Sequence, residues 1–470
     1  MRMPRQQPQQ LPSRVAGGAG DAHPRDRIII HHKNNYTKAP RCQAFRRIIR
    51  VPASFWIYNF GCRANQADGE ALTAACVRAG LQPTAEADAD WVVFNTCTVT
   101  AQADAEARRA IRRLHRLRPQ ARIAVTGCYA ERAPAELAAL AGVTLVTGHA
   151  EKWRLPQQLV GVAPQSQKLA SLARIEPRGS ARSRPIVKVQ DGCGRACSFC
   201  IIPQVRGGDR SRPLGEVLAE VDALAAAGHA EIVCSGINLG QWGRDLGGGL
   251  HLDDLVCAIL QQTRLPRLRL SSVEPMDWIP ELTALMAASG DRLARHAHLP
   301  LQSGSDTVLR RMHRRYRACD YAACVTVLAA QVPGVAIGAD VMAGFPGETD
   351  AEFEESLSFV ASLPLAYLHV FPFSPRPGTE AAQRLVAGAW RAVSPERTAA
   401  RAAVLRRLGA SKRAAFLDAL VGQTLSAVAL SGSEALSDNY ARIALPQPAP
   451  PGTLVEVQIR AHDGEMLQAQ

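Results

Sequence analysis

The sequence lacks any uninterrupted apolar run close to the ~18 residues that a membrane-spanning helix needs. No apolar central region precedes a small-residue cleavage site, so a secretory leader is not expected. No internal repeat is evident, and the histidines show no metal-ligand spacing. Surplus charge is scarce over most of the chain: the formal net charge is +13, but residues 1–53 hold eleven Lys and Arg against two Asp, a surplus of nine, leaving four for the rest. A broadly basic nucleic-acid surface is therefore less strongly indicated than the total suggests. With no export signal, a reducing cytoplasmic location is expected, and the 12 cysteines then point to metal or redox chemistry instead of disulfides.

What is present divides into segments. Residues 1–53 are rich in Gln, Pro, Gly and Arg with little hydrophobic periodicity, and read as a disordered basic arm or an organellar transit peptide. They also read as a mispredicted extension, with the true start near Val51, because Lys33–Lys38 needs AT-rich codons in an Ala-, Arg- and Gly-rich chain. Over 54–160, apolar runs at Phe55–Tyr58, Trp91–Asn95, Ile123–Thr126 and Thr144–Thr147 alternate with helical stretches such as Gln102–Leu117, which predicts a parallel α/β domain. Residues 161–184 read as a linker. From 185 to 410, six strand–helix units begin at Ile186–Gln190, Glu231–Ser235, Arg267–Ser272, His296–Leu301, Val335–Met342 and Ala366–Phe371, which predicts a full or partial (β/α) barrel. The remainder, 411–470, offers short β-rich runs at Thr424–Leu430, Tyr440–Ala444 and Thr453–Ile459, and reads as a small β-barrel. The expected fold class is thus α/β with a small all-β appendage.

The strongest local signal is Cys193, Cys197 and Cys200, spaced C-x3-C-x2-C directly after a predicted strand. Soft thiolates at this spacing suit three corners of a four-iron cluster. The fourth iron is left without a protein ligand and is open to substrate. A zinc knot missing a ligand, or three incidental thiols, are the plainer alternatives. A second set is dispersed: Cys62, Cys97 and Cys128 each follow a predicted strand of the first domain. In open parallel sheets the carboxyl ends of strands build sites, so the three are expected to converge on a second open cluster. Buried structural thiols are the alternative here. Cys42, Cys76, Cys234, Cys257, Cys319 and Cys324 are not expected to be ligands, and Gly247–Gly249 reads as a flexible turn.

The first spacing is similar to the signature of the radical S-adenosylmethionine superfamily. Around the second set, Phe60-Gly-Cys-Arg-Ala-Asn-Gln66, Asn95-Thr-Cys-Thr-Val-Thr100 and Thr126-Gly-Cys-Tyr-Ala130 resemble the N-terminal domain of its methylthiotransferases. Arg206–Arg212, Ser271–Pro275, His298–Asp306, Gly344–Thr349 and Phe373–Thr379 resemble that family in the same order, so the match spans about residues 54–445. Ser437-Asp-Asn-Tyr440 resembles its RNA-binding TRAM domain, more weakly.

The resemblance implies two [4Fe-4S] clusters and S-adenosylmethionine. One molecule of the latter methylates a sulfur held at Cys62, Cys97 and Cys128. A second is cleaved at Cys193, Cys197 and Cys200 to a 5′-deoxyadenosyl radical that activates a C–H bond. It implies tRNA (the anticodon stem-loop) as partner, with an electron donor such as flavodoxin or ferredoxin, a sulfur donor of unknown identity, and no membrane. The motifs look most like the enzymes acting on N6-threonylcarbamoyladenosine. The isopentenyladenosine enzymes usually have Gln and Met where this chain has Arg63 and Ala64. Ribosomal-protein aspartate methylthiolation is a further alternative within the family. An RNA-binding protein with structural metal sites is the alternative outside it.

For S-adenosylmethionine, the candidate contacts are Gly236, Asn238, Glu274, Gln302 and Ser303 at strand ends, with local turn or packing roles as the alternative. Gly344–Glu348 reads equally as a strand-to-helix turn or a cofactor wall. Arg206, Arg210 and Arg212, and a basic helix over Leu309–Arg317, are candidate phosphate contacts, with a solvated loop or face as the alternative.

Overall fold

The computed structural model describes residues 53–161 and 182–470. The expectations for the N-terminal arm, for Cys42 and for most of the linker lie outside the described residues. Five parallel strands form the first sheet, in the order Gln82–Pro83, Ser54–Asn59, Trp91–Thr96, Arg122–Gly127, Val143–Val146. Trp91–Thr96 is buried along its whole length, as a central parallel strand covered on both faces must be. The helix Ala101–Leu117 turns Ala107, Ile111 and Leu114 inward at helical spacing, and Thr100 caps it by accepting from the Ala103 amide at 3.1 Å.

The six expected core strands form two three-stranded parallel sheets. One runs in the order Ile186–Lys188, Glu231–Ser235, Arg267–Leu270; the other His296–His298, Ala336–Ala343, Tyr367–Pro372. A parallel bridge from Leu268 to Leu293, and the Val273 amide donating to His298 O at 3.0 Å, join the two into one curved six-stranded wall, a partial barrel. One continuous apolar cluster from Val187 to Leu405 packs the strands against the helices that cover them.

The C-terminal segment closes a five-stranded barrel from Thr424–Ala429, Glu434–Ser437, Arg442–Ala444, Leu454–His462 and Leu467–Ala469. Two of these strands, Glu434–Ser437 and Leu467–Ala469, carry too few β-branched residues to stand out in the sequence. One continuous helix, Pro395–Asp418, leads into this barrel, so the expected boundary at residue 410 falls inside a helix. The barrel docks through Arg269, whose guanidinium donates to the carbonyls of Ser437 and Asp438 at 2.9 Å each. Arg295 pairs with Asp438 at 2.6 Å. Tyr440, held at φ 66°, stacks on His296 with ring centroids 4.1 Å apart. Among the described residues, no helix is long and apolar enough to cross a membrane.

Candidate active site: two groups of three cysteines

Strand register brings the dispersed cysteines together. Asn59 lies opposite Asn95, and Asn95 opposite Thr126, so the chain leaves all three strands at one level and places Cys62, Cys97 and Cys128 along one edge. Each sulfur is close enough to the others for their charges to interact. Gly61 makes this possible. It sits at φ +85°, and a Cβ there would lie 2.6 Å from the Cys97 sulfur. Cys62 is exposed at the N-cap of the helix Arg63–Arg78, whereas Cys97 and Cys128 are buried. Burial pushes the Cys97 thiol up to about 12, with Cys62 and Cys128 adding to the effect.

Cys193, Cys197 and Cys200 lie in a loop closed at its base by a short antiparallel ribbon, Gln190–Asp191 against Arg210–Ser211. Gly192, at φ +73°, would drive a Cβ to 1.9 Å from the Gly208 carbonyl, so only glycine fits. The Cys193 amide donates to Gly207 O at 2.9 Å, and the Cys200 amide to Cys197 O at 3.1 Å. Burial raises the Cys193 thiol to about 11 and the Cys200 thiol to about 12.

The two groups adjoin. The helix Cys128–Arg132 starts at one cysteine, and Cys128 packs in an apolar cluster with Ile201 and Val205, immediately after Cys200. Each group also receives nitrogen donors aimed at sulfur: Arg206 Nε to Cys128 at 3.2 Å, Asn238 Nδ2 to Cys193 at 3.6 Å, Arg314 Nη1 to Cys197 at 3.5 Å. Donors on sulfur and three soft ligands per group are a donor set that fits iron–sulfur ligation.

The other sequence candidates separate. The Asn238 amide donates to Gln190 Oε1 at 2.8 Å, while its own Oδ1 is buried without a partner. Gln302 sits at φ 71° with its buried Oε1 likewise unpartnered. Gly236 packs its bare Cα beside Gln190 and Leu239. Glu274 is paired with Arg314. These four border the Cys193 loop or the strand ends around it, and the two orphaned oxygens fit a polar ligand such as the methionyl group. The Ser303 hydroxyl already has protein partners: it lies 3.1 Å from the Ser356 hydroxyl and accepts from the Ser305 amide at 3.2 Å. Glu348 accepts from the Gly344 amide at 2.9 Å and from Arg401 at 2.7 Å, so its carboxylate is engaged within the strand-to-helix turn.

The phosphate candidates are corrected in part. Arg206 and Arg212 are buried, Arg206 on Cys128, Asp68, Asp191 and Asn65, and Arg212 on Glu220 and Lys188 O. Of the three, Arg210 has the most exposed side chain. Leu309–Arg317 is not one helix: Asp306–Arg311 ends there, and Arg314 turns inward to Cys197. Sequence reasoning also missed Gln190, Asp209 and the barrel-interior group of His298, Asp340 and His369. Asp340 lies 3.0 Å from His298 and 3.3 Å from His369, side chains that meet across neighbouring strands and leave no linear spacing to detect.

Known proteins match this arrangement. Residues 54–148 match the Uncharacterized protein family UPF0004, and residues 187–360 match the Radical SAM superfamily. The chain is 34% identical to the threonylcarbamoyladenosine tRNA methylthiotransferase MtaB of Aquifex aeolicus, over 85% of this chain and 98% of that protein. It therefore belongs to the radical S-adenosylmethionine tRNA methylthiotransferases. Two further relatives bracket the group. The enzyme of the same name from Bacillus subtilis is 36% identical over 70% of this chain and 76% of its own. A tRNA-2-methylthio-N(6)-dimethylallyladenosine synthase of Parafrankia is 37% identical over 70% and 69%. Among solved structures, the radical S-adenosylmethionine methyltransferase TsrM from Kitasatospora setae shares the fold at TM-score 0.54 and 18% identity, covering 72% of this chain and 78% of that one. The methylthiotransferase accordingly uses S-adenosylmethionine and [4Fe-4S] chemistry.

Proposed function

We propose that this methylthiotransferase adds a methylthio group at C2 of N6-threonylcarbamoyladenosine at position 37 of tRNA. Cys193, Cys197 and Cys200 hold one [4Fe-4S] cluster, and Cys62, Cys97 and Cys128 hold the other. The observation that carries this is the packing of Cys128 on Ile201 and Val205, which puts two open three-thiol sites side by side. When bound, the two clusters and S-adenosylmethionine would supply a radical that takes the C2 hydrogen and a methylated sulfur to be joined to C2.

The chain's own residues do the rest. Asn238 and Gln302 offer free amide oxygens to the ammonium end of the methionyl group, and Gly236 lets the backbone approach it. Arg314 fixes Glu274 beside Cys197. Arg376, donating to Thr98 at 2.8 Å and paired with Asp104, ties the far end of the core to the first domain and keeps the two thiol groups in register. Residues 54–160, 185–418 and 419–470 act respectively as methylthiotransferase domain, radical core and RNA-holding barrel. The electron comes from a donor such as flavodoxin or ferredoxin, and a tRNA substrate suits a cytoplasmic enzyme.

The threonylcarbamoyl substrate is favoured by the names of the Aquifex and Bacillus relatives and by Arg63 after Cys62. The dimethylallyl substrate stands as the second reading because the Parafrankia relative is 37% identical. Mass-spectrometric nucleoside analysis of tRNA from a deletion strain separates the two. Loss of 2-methylthio-threonylcarbamoyladenosine supports the first, and loss of only the dimethylallyl derivative supports the second.

A further inference from the structure

Between the two thiol groups lies a buried network of six ionisable side chains. Asp68, from the helix that starts after Cys62, pairs with Lys152 at 2.5 Å, with Lys188, and with Arg206 at 3.2 Å. Asp191, two residues before Cys193, pairs with Lys188 at 3.0 Å, Arg206 at 2.8 Å and His149 at 3.4 Å. All six are at most 3% exposed. Taking ions out of water costs several kcal/mol each unless opposite charge is returned. Burial alone would raise the Asp68 carboxyl, yet Lys152, Lys188 and Arg206 hold it below the usual carboxylate range, and Asp191 is likewise held down by Lys188 and Arg206. Burial and Lys152 push His149 down to about 3, so it is neutral at physiological pH.

The network is therefore unbalanced: three buried cations, Lys152, Lys188 and Arg206, face two carboxylates, and the half-exposed Arg210 adds a fourth cation 3.9 Å from Asp191. Of the three buried cations, Arg206 is the one with a hydrogen bond to a cysteine of the site, its Nε lying 3.2 Å from the Cys128 sulfur. A four-iron core in its two-plus state on three thiolates carries one negative charge overall. That charge has the sign the network lacks.

We propose that Arg206 is a positioning and redox-tuning residue of the Cys62, Cys97 and Cys128 site: its guanidinium supplies the counter-charge to that cluster and couples it, through Asp68 and Asp191, to the strand that carries the Cys193 loop. This rests on the two-cluster reading above. A fixed cation beside a cluster favours the reduced, more negative state, and a nearby carboxylate opposes it. Arg206→Gln and Asp68→Asn are thus expected to act in opposite directions, which a merely structural role would not produce.

The test uses the full chain with Cys193, Cys197 and Cys200 replaced by Ala, reconstituted with iron and sulfide, so that one cluster remains for an EPR-monitored redox titration. Arg206→Gln is expected to shift the reduced-to-oxidised ratio at fixed potential about tenfold or more toward oxidised, and Asp68→Asn to shift it toward reduced. Arg206→Lys, keeping the charge, is expected to stay near the parent. In the converse background, with Cys62, Cys97 and Cys128 replaced by Ala, Arg206→Gln is expected to have a smaller effect on the Cys193 cluster. Shifts of the same sign in Arg206→Gln and Asp68→Asn, or no shift with iron retained, overturn the proposal. Should Arg206→Gln fail to hold iron, the comparison of Arg206→Lys with Asp68→Asn still decides it. Absence of iron in the parent triple variant would instead strike the two-cluster reading.

Discussion

Arg314 sits between Glu274 and Cys197: its guanidinium pairs with the carboxylate and donates to the sulfur at 3.5 Å. It reaches this place because the chain after Asp306–Arg311 turns inward, with Tyr316 donating to the carbonyls of Pro300 and Leu301 at 2.9 and 2.6 Å. Burial by itself would lower the Arg314 pKa, but Tyr316, Glu274 and Cys197 hold it well above the usual arginine range, so it stays a cation beside the sulfur.

Arg314→Gln removes that cation and frees Glu274. Outer-shell partners of metal ligands typically contribute about 10–100-fold in affinity or activity. Formation of 5′-deoxyadenosine, measured under reducing anaerobic conditions, is expected to fall by about that factor while tRNA binding is unchanged.

Cys97→Ala separates the two groups of thiols. Cys97 belongs to the first domain and makes no hydrogen bond with the Cys193 loop, so 5′-deoxyadenosine formation is expected to persist while methylthiolated nucleoside disappears. Loss of both products would show that the two sites are not independent.

Gly192→Ala tests the tight turn that opens the other group. The added Cβ would fall 1.9 Å from the Gly208 carbonyl, at a backbone angle that costs a non-glycine residue about 1–3 kcal/mol. Reconstituted protein is expected to hold about half the parent's iron, with S-adenosylmethionine cleavage abolished and the Cys62, Cys97 and Cys128 iron signal retained.

Two thiols outside the site contribute to alkaline stability. Burial raises Cys76 and Cys234 to about 12 each. A thiol whose folded pKa lies above its unfolded value near 8.5 stabilises the fold fully below that pH, and the contribution is lost as pH rises toward the folded value. Thermal melting temperature is therefore expected to drop from about pH 9 upward. The drop should be shallower in Cys76→Ala/Cys234→Ala, whatever the absolute cost of those cavities.

Much of this was legible in the sequence, for identifiable reasons. Strand–helix alternation placed every strand of the first sheet except Gln82–Pro83, which is two residues long and carries a proline. Cys62, Cys97 and Cys128 could be grouped because a parallel sheet aligns strand ends, so linear position after each strand becomes spatial position. The arginines behaved otherwise. Arg206 and Arg212 look like a basic loop in the sequence, because nothing local reveals that Asp68 and Glu220 wait for them on other elements. One trace was available: Lys188 stands in the short apolar strand Ile186–Lys188, and a charge there demands a buried partner. The histidines His298 and His369 meet Asp340 only through strand pairing, so spacing could not find them.

Iron counting with Mössbauer spectroscopy tests the central claim most directly. Anaerobically reconstituted chain is expected to carry about eight irons, and about four in each of the two triple-Ala variants, all in [4Fe-4S] form. A chain that binds about four irons in total, all lost when Cys193, Cys197 and Cys200 are replaced, would contradict the account.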